Sequence, residues 1–242
     1  MRRPGATFTL AGAMLCAATT VGAQQTFFGV DPMGSNANAL DARNAFFSFL
    51  TGDVGTETFE SLAVGTTNPA LTFPGAGTAT LAGVGGEVRG APGSGRYAVS
   101  GTRYYNAQSA AGGAPTFTIT FSDPVAAFGF WGTDIGDFGS QLTLRFLLAG
   151  GGTVDWALPY DATRSGEGEL LYAGYINTAT FTGIQFLGTN SDDHFGFDDM
   201  TIGSVRQVVP NPNVVPEPST ILLLGSGLAG VLGIAYRRRD VA

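Results

Sequence analysis

The stretch Thr116-Phe117-Thr118-Ile119-Thr120-Phe121 decides the fold, because it alternates polar and apolar side chains without a break. Strict alternation is typical of a β-strand with one face in the core and one face in solvent. The sequence therefore predicts a core strand here, with two phenylalanines and an isoleucine on its buried face. Ser122-Asp123-Pro124 is predicted to turn the chain, and residues 125–131 follow as a more buried strand.

Similar short apolar segments recur on both sides of this pair, separated by turns rich in Gly and Pro. They predict further strands at residues 56–61, 71–73, 78–84, 97–100, 141–148, 153–158, 170–176, 181–187 and 195–202. Helical periodicity is found near the start, at residues 36–50, with Ser35 or Asn36 as the N-cap. Residues 24–35 read as a loop. This pattern predicts an all-β fold, an antiparallel two-sheet β-sandwich of the jelly-roll type, with a short N-terminal helix.

The composition excludes some classes of function. Residues 24–215 contain seven Arg and 17 Asp and Glu, a net charge of −10. An acidic body lacks the basic surface that nucleic-acid binding needs. The only cysteine of the sequence, Cys16, lies in the N-terminal apolar stretch, so its removal would leave a chain with neither a disulfide nor a cysteine nucleophile.

The N-terminus has the pattern of a secretory signal peptide over residues 1–23. Arg2 and Arg3 precede an apolar run at residues 6–21, and Val21-Gly22-Ala23 supplies small residues for cleavage. We therefore expect export and cleavage by signal peptidase after Ala23.

The C-terminus has three parts in a fixed order. Val215-Pro216-Glu217-Pro218-Ser219-Thr220 comes first, then an apolar run at residues 221–236, then Arg237-Arg238-Arg239. The run has 16 residues, about 24 Å as a helix, which is short against a bilayer core of about 30 Å. Arg237 can extend it by snorkelling, so we predict a transmembrane helix with the arginines in the cytoplasm.

These three parts resemble the PEP-CTERM sorting signal of Gram-negative bacteria. The resemblance implies that Pro216, Glu217 and Pro218 are recognised by exosortase, a membrane protease, and that the Arg cluster completes the signal. It implies transient anchoring in the inner membrane, cleavage near the motif and release to the cell surface or matrix. The alternative is a plain tail anchor behind a Pro-rich linker.

The body resembles the β-sandwich ectodomains found upstream of such signals, on its Thr-Phe-Glu, Phe-Gly-Phe-Asp-Asp-Met-Thr-Ile and central strand sequences. The predicted organisation is a signal peptide (1–23), an N-terminal loop and short helix (24–55), a β-sandwich domain (56–205), a linker (206–215) and the sorting signal (216–239). Sandwiches similar to carbohydrate-binding jelly rolls often hold a structural calcium. The residues that match are Glu60 and Asp199. A salt bridge or hydrogen bonds to turn amides would satisfy these carboxylates equally well.

Asp199 is expected to point inward beside Phe195 and Phe197, because alternation places the three on one face. Loop 133–137 and residues 191–199 are the other sources of carboxylates for an ion. Exposed aromatic side chains bind sugars by stacking on pyranose rings. Trp131, Tyr104 and Tyr105 are the candidates for this role, against the alternative of core packing.

Two hypotheses of function follow. The first is an exported, non-catalytic protein of the cell surface or matrix, associated with extracellular polysaccharide. The second is a secreted glycan-active enzyme, which needs two carboxylates about 5–10 Å apart across a cleft. Nothing in the sequence singles out such a pair, and this favours the first hypothesis.

Overall fold

The computed structural model describes residues 24–83, 85–108, 115–162 and 167–209, all of them within one compact unit. In these ranges there is one α-helix, α1 (Ala37–Phe47). The strands are β1 (Gln24–Asp31), β2 (Thr56–Glu57), β3 (Ala70–Phe73), β4 (Gly77–Gly83), β5 (Glu87–Arg89), β6 (Tyr104–Gln108), β7 (Pro115–Thr133), β8 (Thr143–Leu148), β9 (Thr153–Ala157), β10 (Leu170–Leu187) and β11 (His194–Gly203). Their pairing is antiparallel, as predicted.

Hydrogen bonds link all eleven strands into one continuous sheet. The two long strands β7 and β10 pair with each other and run through both of its layers, which we call the first and the second sheet. Residues 125–133 of β7 and 170–176 of β10 belong to the first sheet, in the order β5-β6-β11-β7-β10-β1. Residues 115–121 and 181–187 belong to the second sheet, in the order β3-β4-β7-β10-β8-β9. The register shifts between Ile176 and Phe181, where the strands pass from one sheet to the other.

The core lies between these two sheets and is built largely from aromatic rings. Phe117 of the second sheet packs edge-on to Phe197 of the first, with ring centroids 5.5 Å apart. Phe146 stacks on Tyr175 at 3.7 Å. Aromatic side chains bury large areas and favour such stacked and edge-to-face geometries. The prediction of an antiparallel, mostly β fold with a short N-terminal helix is confirmed.

Helix α1 covers the outer face of the first sheet. Phe46 is fully buried and packs on Tyr172 of β10 at 5.9 Å between ring centroids. The first turn is capped by Asp31 at the end of β1, whose carboxylate accepts the backbone N–H of Asn38 at 3.2 Å and of Ala39 at 2.8 Å. Asn36, one of the two predicted N-caps, occupies the N-cap position but makes no side-chain capping bond. The cap comes from β1, which lies outside the helix.

Two predicted elements are wrong. The loop expected at residues 24–35 contains strand β1, which pairs with β10 from Gln24–Asn177 to Asp31–Leu170. Strand β1 is therefore part of the sheet, although the β-sandwich domain was predicted to begin at residue 56. Its run Gln-Gln-Thr-Phe-Phe-Gly-Val-Asp lacks clean alternation, which hid the strand. The strand predicted at residues 97–100 is a loop, while β6 follows at Tyr104–Gln108.

The registers define two ends of the sandwich. Asp31, Leu170 and Thr133 lie side by side at one end, together with the connecting residues 134–142, 158–162, 167–169 and 188–193. We call this the loop end. Gln24 pairs with Asn177 at the opposite end, where β11 finishes at Gly203. Val209 donates to the carbonyl of Phe49 at that same end.

The described residues contain no helix with the length and apolar character that a membrane span requires. The predicted transmembrane helix at residues 221–236 lies outside the described part of the chain, as do the signal peptide and the sorting signal.

Candidate functional site

Residues 97–103 form a loop that carboxylates hold against the outer face of the first sheet; we call it the pinned loop. Asp198 of β11 is 1% exposed, and its Oδ2 accepts the backbone N–H of Val99 at 2.7 Å and of Ser100 at 3.1 Å. Its Oδ1 accepts the N–H of Asp199 at 2.8 Å. Burial raises the pKa of the Asp198 carboxyl to about 7, against the effect of these hydrogen bonds.

Both predicted calcium ligands also contact the pinned loop. Glu60 Oε1 accepts the backbone N–H of Thr102 at 2.7 Å and of Arg103 at 2.5 Å, and the first of these contacts is the main cause that lowers the pKa of Glu60. Asp199 Oδ1 accepts the hydroxyl of Ser100 at 2.6 Å. Hydrogen-bond donors of the chain therefore occupy carboxylate oxygens that an ion would need. This is the arrangement expected under the alternative to calcium, in which hydrogen bonds to turn amides satisfy the carboxylates.

The expected inward orientation of Asp199 is wrong. The register of β11 against β7 shifts between Asp198 and Thr201, and Asp199 has φ of +46°. This bulge replaces Asp199 with Met200, which is fully buried, on the core face beyond Phe197. In the described ranges no three His, Cys, Asp or Glu side chains are arranged to hold a metal. Calcium at Glu60 and Asp199 stays a prediction.

The aromatic residues chosen as sugar platforms are buried, so that assignment is wrong. Trp131 is 6% exposed, Tyr104 1% and Tyr105 0%. Trp131 packs edge-on to Tyr172 at 5.3 Å under the helix, and Tyr105 packs on Phe59 in the core. A ring without an open face cannot stack on a sugar. Burial in the folded protein, which was the alternative to sugar binding, accounts for all three aromatic residues.

Two buried carboxylates organise the loop end. Asp134 Oδ1 accepts the N–H of Gly168 at 2.9 Å, which joins the connection after β7 to the connection before β10. Asp193 Oδ2 accepts the N–H of Gly136 at 3.2 Å, which ties in the connection before β11. Burial raises the pKa of Asp134 to about 6 and of Asp193 to about 7. The sequence pointed to both segments as sources of carboxylates, and the fold brings them together.

An exposed aromatic side chain lies beside these carboxylates and was missed in the sequence. Phe138 is 66% exposed and is the most exposed aromatic side chain among the described residues. It has φ of +57°, in the left-handed region that bulky residues rarely adopt. The sequence could have indicated this exposure, because Phe138 is one large apolar residue within the turn sequence Gly136-Asp137-Phe138-Gly139.

Comparison with known protein families identifies a sorting motif in the C-terminal segment. Residues 214–239 match the PEP-CTERM protein-sorting motif, which includes Pro216, Glu217, Pro218 and the Arg cluster 237–239. The chain therefore carries this sorting signal, and the predicted resemblance is confirmed for that segment. The motif indicates an exported protein with a surface or extracellular location. Comparison with curated proteins gives no match.

Several solved carbohydrate-binding domains are similar to the body of the chain at low identity. The CBM22-1 xylan-binding domain from Paenibacillus barcinonensis Xyn10C is 12% identical over 67% of this chain and 99% of that chain, with a TM-score of 0.37. The C-terminal family 22 carbohydrate binding module of Clostridium thermocellum Xyn10B is 13% identical over 64% and 96%, with a TM-score of 0.37. TmCBM61, solved with beta-1,4-galactotriose, is 16% identical over 64% and 97%, with a TM-score of 0.29. TM-scores this low identify neither a shared fold nor a shared ligand.

Proposed function

We propose that the chain is a non-catalytic protein that is exported, held in the inner membrane by its C-terminal helix, and cut by exosortase near Pro216. The processed protein then reaches the cell surface or the extracellular matrix and associates there with exopolysaccharide. The observation that carries this proposal is the match of residues 214–239 to the PEP-CTERM protein-sorting motif.

The spacing in sequence between the last described element and the motif supports processing by a protease. The last described element, a 3₁₀ turn at Val205–Gln207, is followed by Val209, whose N–H bonds to Phe49. The matched motif begins five residues later in the sequence, at 214. Pro216 and Pro218 favour extended backbone in the residues before them, which is the form a protease binds. Cleavage near Pro216 would leave every described strand in the released protein.

The hydrogen bonds that the buried carboxylates accept support a non-catalytic role. Asp134, Asp193 and Asp198 each accept at least one backbone N–H from a loop and thereby hold that loop in place. A glycosidase instead needs two carboxylates directed at a substrate across a cleft. The alternative of a glycan-active enzyme remains the second hypothesis.

The sorting proposal is tested by mutating the motif in a host that encodes an exosortase. We expect the wild-type chain in the extracellular fraction, with a mass that shows loss of the residues after the motif. Glu217→Ala and Pro216→Ala should leave the full-length chain in the inner membrane. Pro210→Ala and Pro212→Ala are matched controls, because they remove prolines just before the motif and should be processed normally.

Two results would contradict the proposal. Normal processing of Glu217→Ala and Pro216→Ala would show that cleavage does not depend on the Pro-Glu-Pro motif. Release of new reducing ends from exopolysaccharide by the wild-type protein would establish an enzyme and overturn the non-catalytic role.

A further inference from the structure

Phe138 combines two features that both oppose folding. Its ring is 66% exposed to water, so it forgoes the burial that stabilises most phenylalanines in this chain. Its backbone has φ of +57°, in the left-handed region that is strained for a residue with a bulky side chain. A glycine at this position would avoid both costs.

The loop around Phe138 is fixed from three sides. Gly136 donates its N–H to buried Asp193, and the ring of Tyr160 lies so close that a Cβ on Gly136 would come within 2.5 Å of it. Asn190 donates its side-chain amide to the carbonyl of Phe138 at 3.1 Å. Tyr160 donates its hydroxyl to the carbonyl of Ser140 at 2.9 Å.

The ring is therefore presented to solvent by a preorganised loop. Preorganisation is what a binding surface requires, because little conformational entropy is then lost when a ligand binds. An aromatic ring with hydrogen-bonding groups nearby is suited to the apolar face and the hydroxyls of a sugar ring. Asn190, Ser191 and Asp192 supply such groups on the neighbouring connection.

We propose that Phe138 and the adjoining residues 189–192 form a binding site for an extracellular polysaccharide whose sugars carry no acidic groups. This inference rests on the proposed function and deepens it, since it names the surface and the class of polymer.

The charge of the loop end sets the class of polymer. Asp137 directly precedes Phe138 in the chain, and Asp192 is an exposed residue of the neighbouring connection. Asp137 and Glu167 also raise the pKa of Asp134 by charge repulsion, in addition to the larger effect of burial, while Arg96 acts in the opposite sense. Asp137 in turn acts on Asp193 in the same sense. Negative charges thus already repel one another around the base of the Phe138 loop. A polyuronate or a sulfated chain would add to this repulsion, whereas neutral or amine-bearing sugars would not.

The test uses the full-length chain in detergent solution, so that binding is measured independently of sorting. The probe is exopolysaccharide from the bacterium that encodes the protein, separated on an anion exchanger into a retained acidic fraction and an unretained fraction. We expect binding to the unretained fraction. Phe138→Gly should weaken it about tenfold or more, because it removes the ring, while Phe138→Trp should retain it.

The melting temperature separates a binding role from a structural one. Phe138→Gly relieves the left-handed strain and should melt no lower than the wild type. Val64→Ala is a matched control, because Val64 is a 61% exposed apolar residue outside the loop end. It should bind as the wild type does.

Four results would overturn the site: wild-type binding by Phe138→Gly, a preference for the acidic fraction, no binding to either fraction, or self-association through Phe138 without polysaccharide binding. None of them depends on whether Glu217→Ala blocks processing, so failure of the site and failure of the sorting proposal are distinguishable.

Discussion

At the scale of single residues, the buried carboxylates make stability depend on pH. Burial raises the pKa of Asp193 from 3.8 to about 7. The folded protein therefore holds this proton more tightly than the unfolded chain does. The stability it contributes is complete below about pH 4, and it is lost as the pH rises through about 7. The same sign applies to Asp134 and Asp198.

We expect the wild-type protein to melt at a lower temperature at pH 8 than at pH 5. Asp193→Asn should reduce this difference, because Asn keeps an oxygen for the N–H of Gly136 but does not ionise. Each kcal/mol corresponds to roughly 2–4 °C for a chain of this size. Calorimetry across pH 5–8 measures the difference, with the exposed Asp192→Asn as the control. Parallel pH profiles for Asp193→Asn and the wild type would be evidence against this assignment.

The sequence indicated which carboxylates are important better than it indicated the orientation and burial of individual side chains. Glu60, Asp134 and the acids near residue 199 were all recognised as carboxylates of consequence, and each one holds a loop. The orientation of Asp199 could not be predicted, because a one-residue bulge reverses which side chain faces the core. Burial of Trp131 and Tyr105 also depended on tertiary neighbours that lie far away in sequence, since the helix covers Trp131 and Phe59 packs on Tyr105.

At the scale of elements, close contact between α1 and the first sheet depends on residues without side chains. A Cβ on Gly29 of β1 would lie 2.1 Å from the carbonyl oxygen of Asn38, and one on Gly174 of β10 would lie 2.7 Å from the ring of Phe46. Neither distance is possible without movement. The helix can therefore approach the sheet only where these glycines leave space.

Gly29→Ala should lower the free energy of unfolding by about 1–3 kcal/mol or more, because the helix backbone must shift away from the sheet. Chemical denaturation of the purified protein measures this change. Gly150→Ala is the control, since nothing lies within 4 Å of a Cβ there, and it should stay within about 0.5 kcal/mol of the wild type. Equal effects of the two substitutions would show that the helix does not depend on this contact.

The sequence predicted most strand positions but not their continuity. Residues 116–121 and 125–131 read as two strands divided by Ser122-Asp123-Pro124, and they form one strand, β7, with a bend at that point. Proline is tolerated at such a bend because ladder bonding is already interrupted. Local patterns therefore located the breaks, whereas the pairing of β7 with β10 through both sheets is a long-range property.

At the scale of the whole molecule, the sandwich extends beyond its predicted boundary at residue 56. Strand β1 completes the edge of the first sheet, and α1 covers a cluster on its outer face that includes Trp131, Tyr172 and Ile176. A chain that starts at residue 56 would expose this cluster to water. The predicted boundary followed the change from helical to strand pattern, but burial decides the extent of the folding unit.

We expect a fragment of residues 56–205 to aggregate or to lose cooperative unfolding, because of this exposed apolar surface. A fragment of residues 24–209 retains the cover and should unfold in a single transition. Size-exclusion chromatography and calorimetry on both fragments provide the comparison. Cooperative melting of the shorter fragment as a monomer would show that β1 and α1 are accessory.

The chain enters the sandwich at Gln24 and leaves it after Val209 at the same end, opposite Phe138, and this arrangement determines its response to mechanical force. Tension between the two ends pulls β1 away from β10 starting at the Gln24–Asn177 pair. The ladder bonds then carry the load one after another, as in unzipping, and not all together, as in shear. Under tension the protein therefore yields first at β1 and then at the helix attached to it, while the loops around Phe138 lie outside the path of the force.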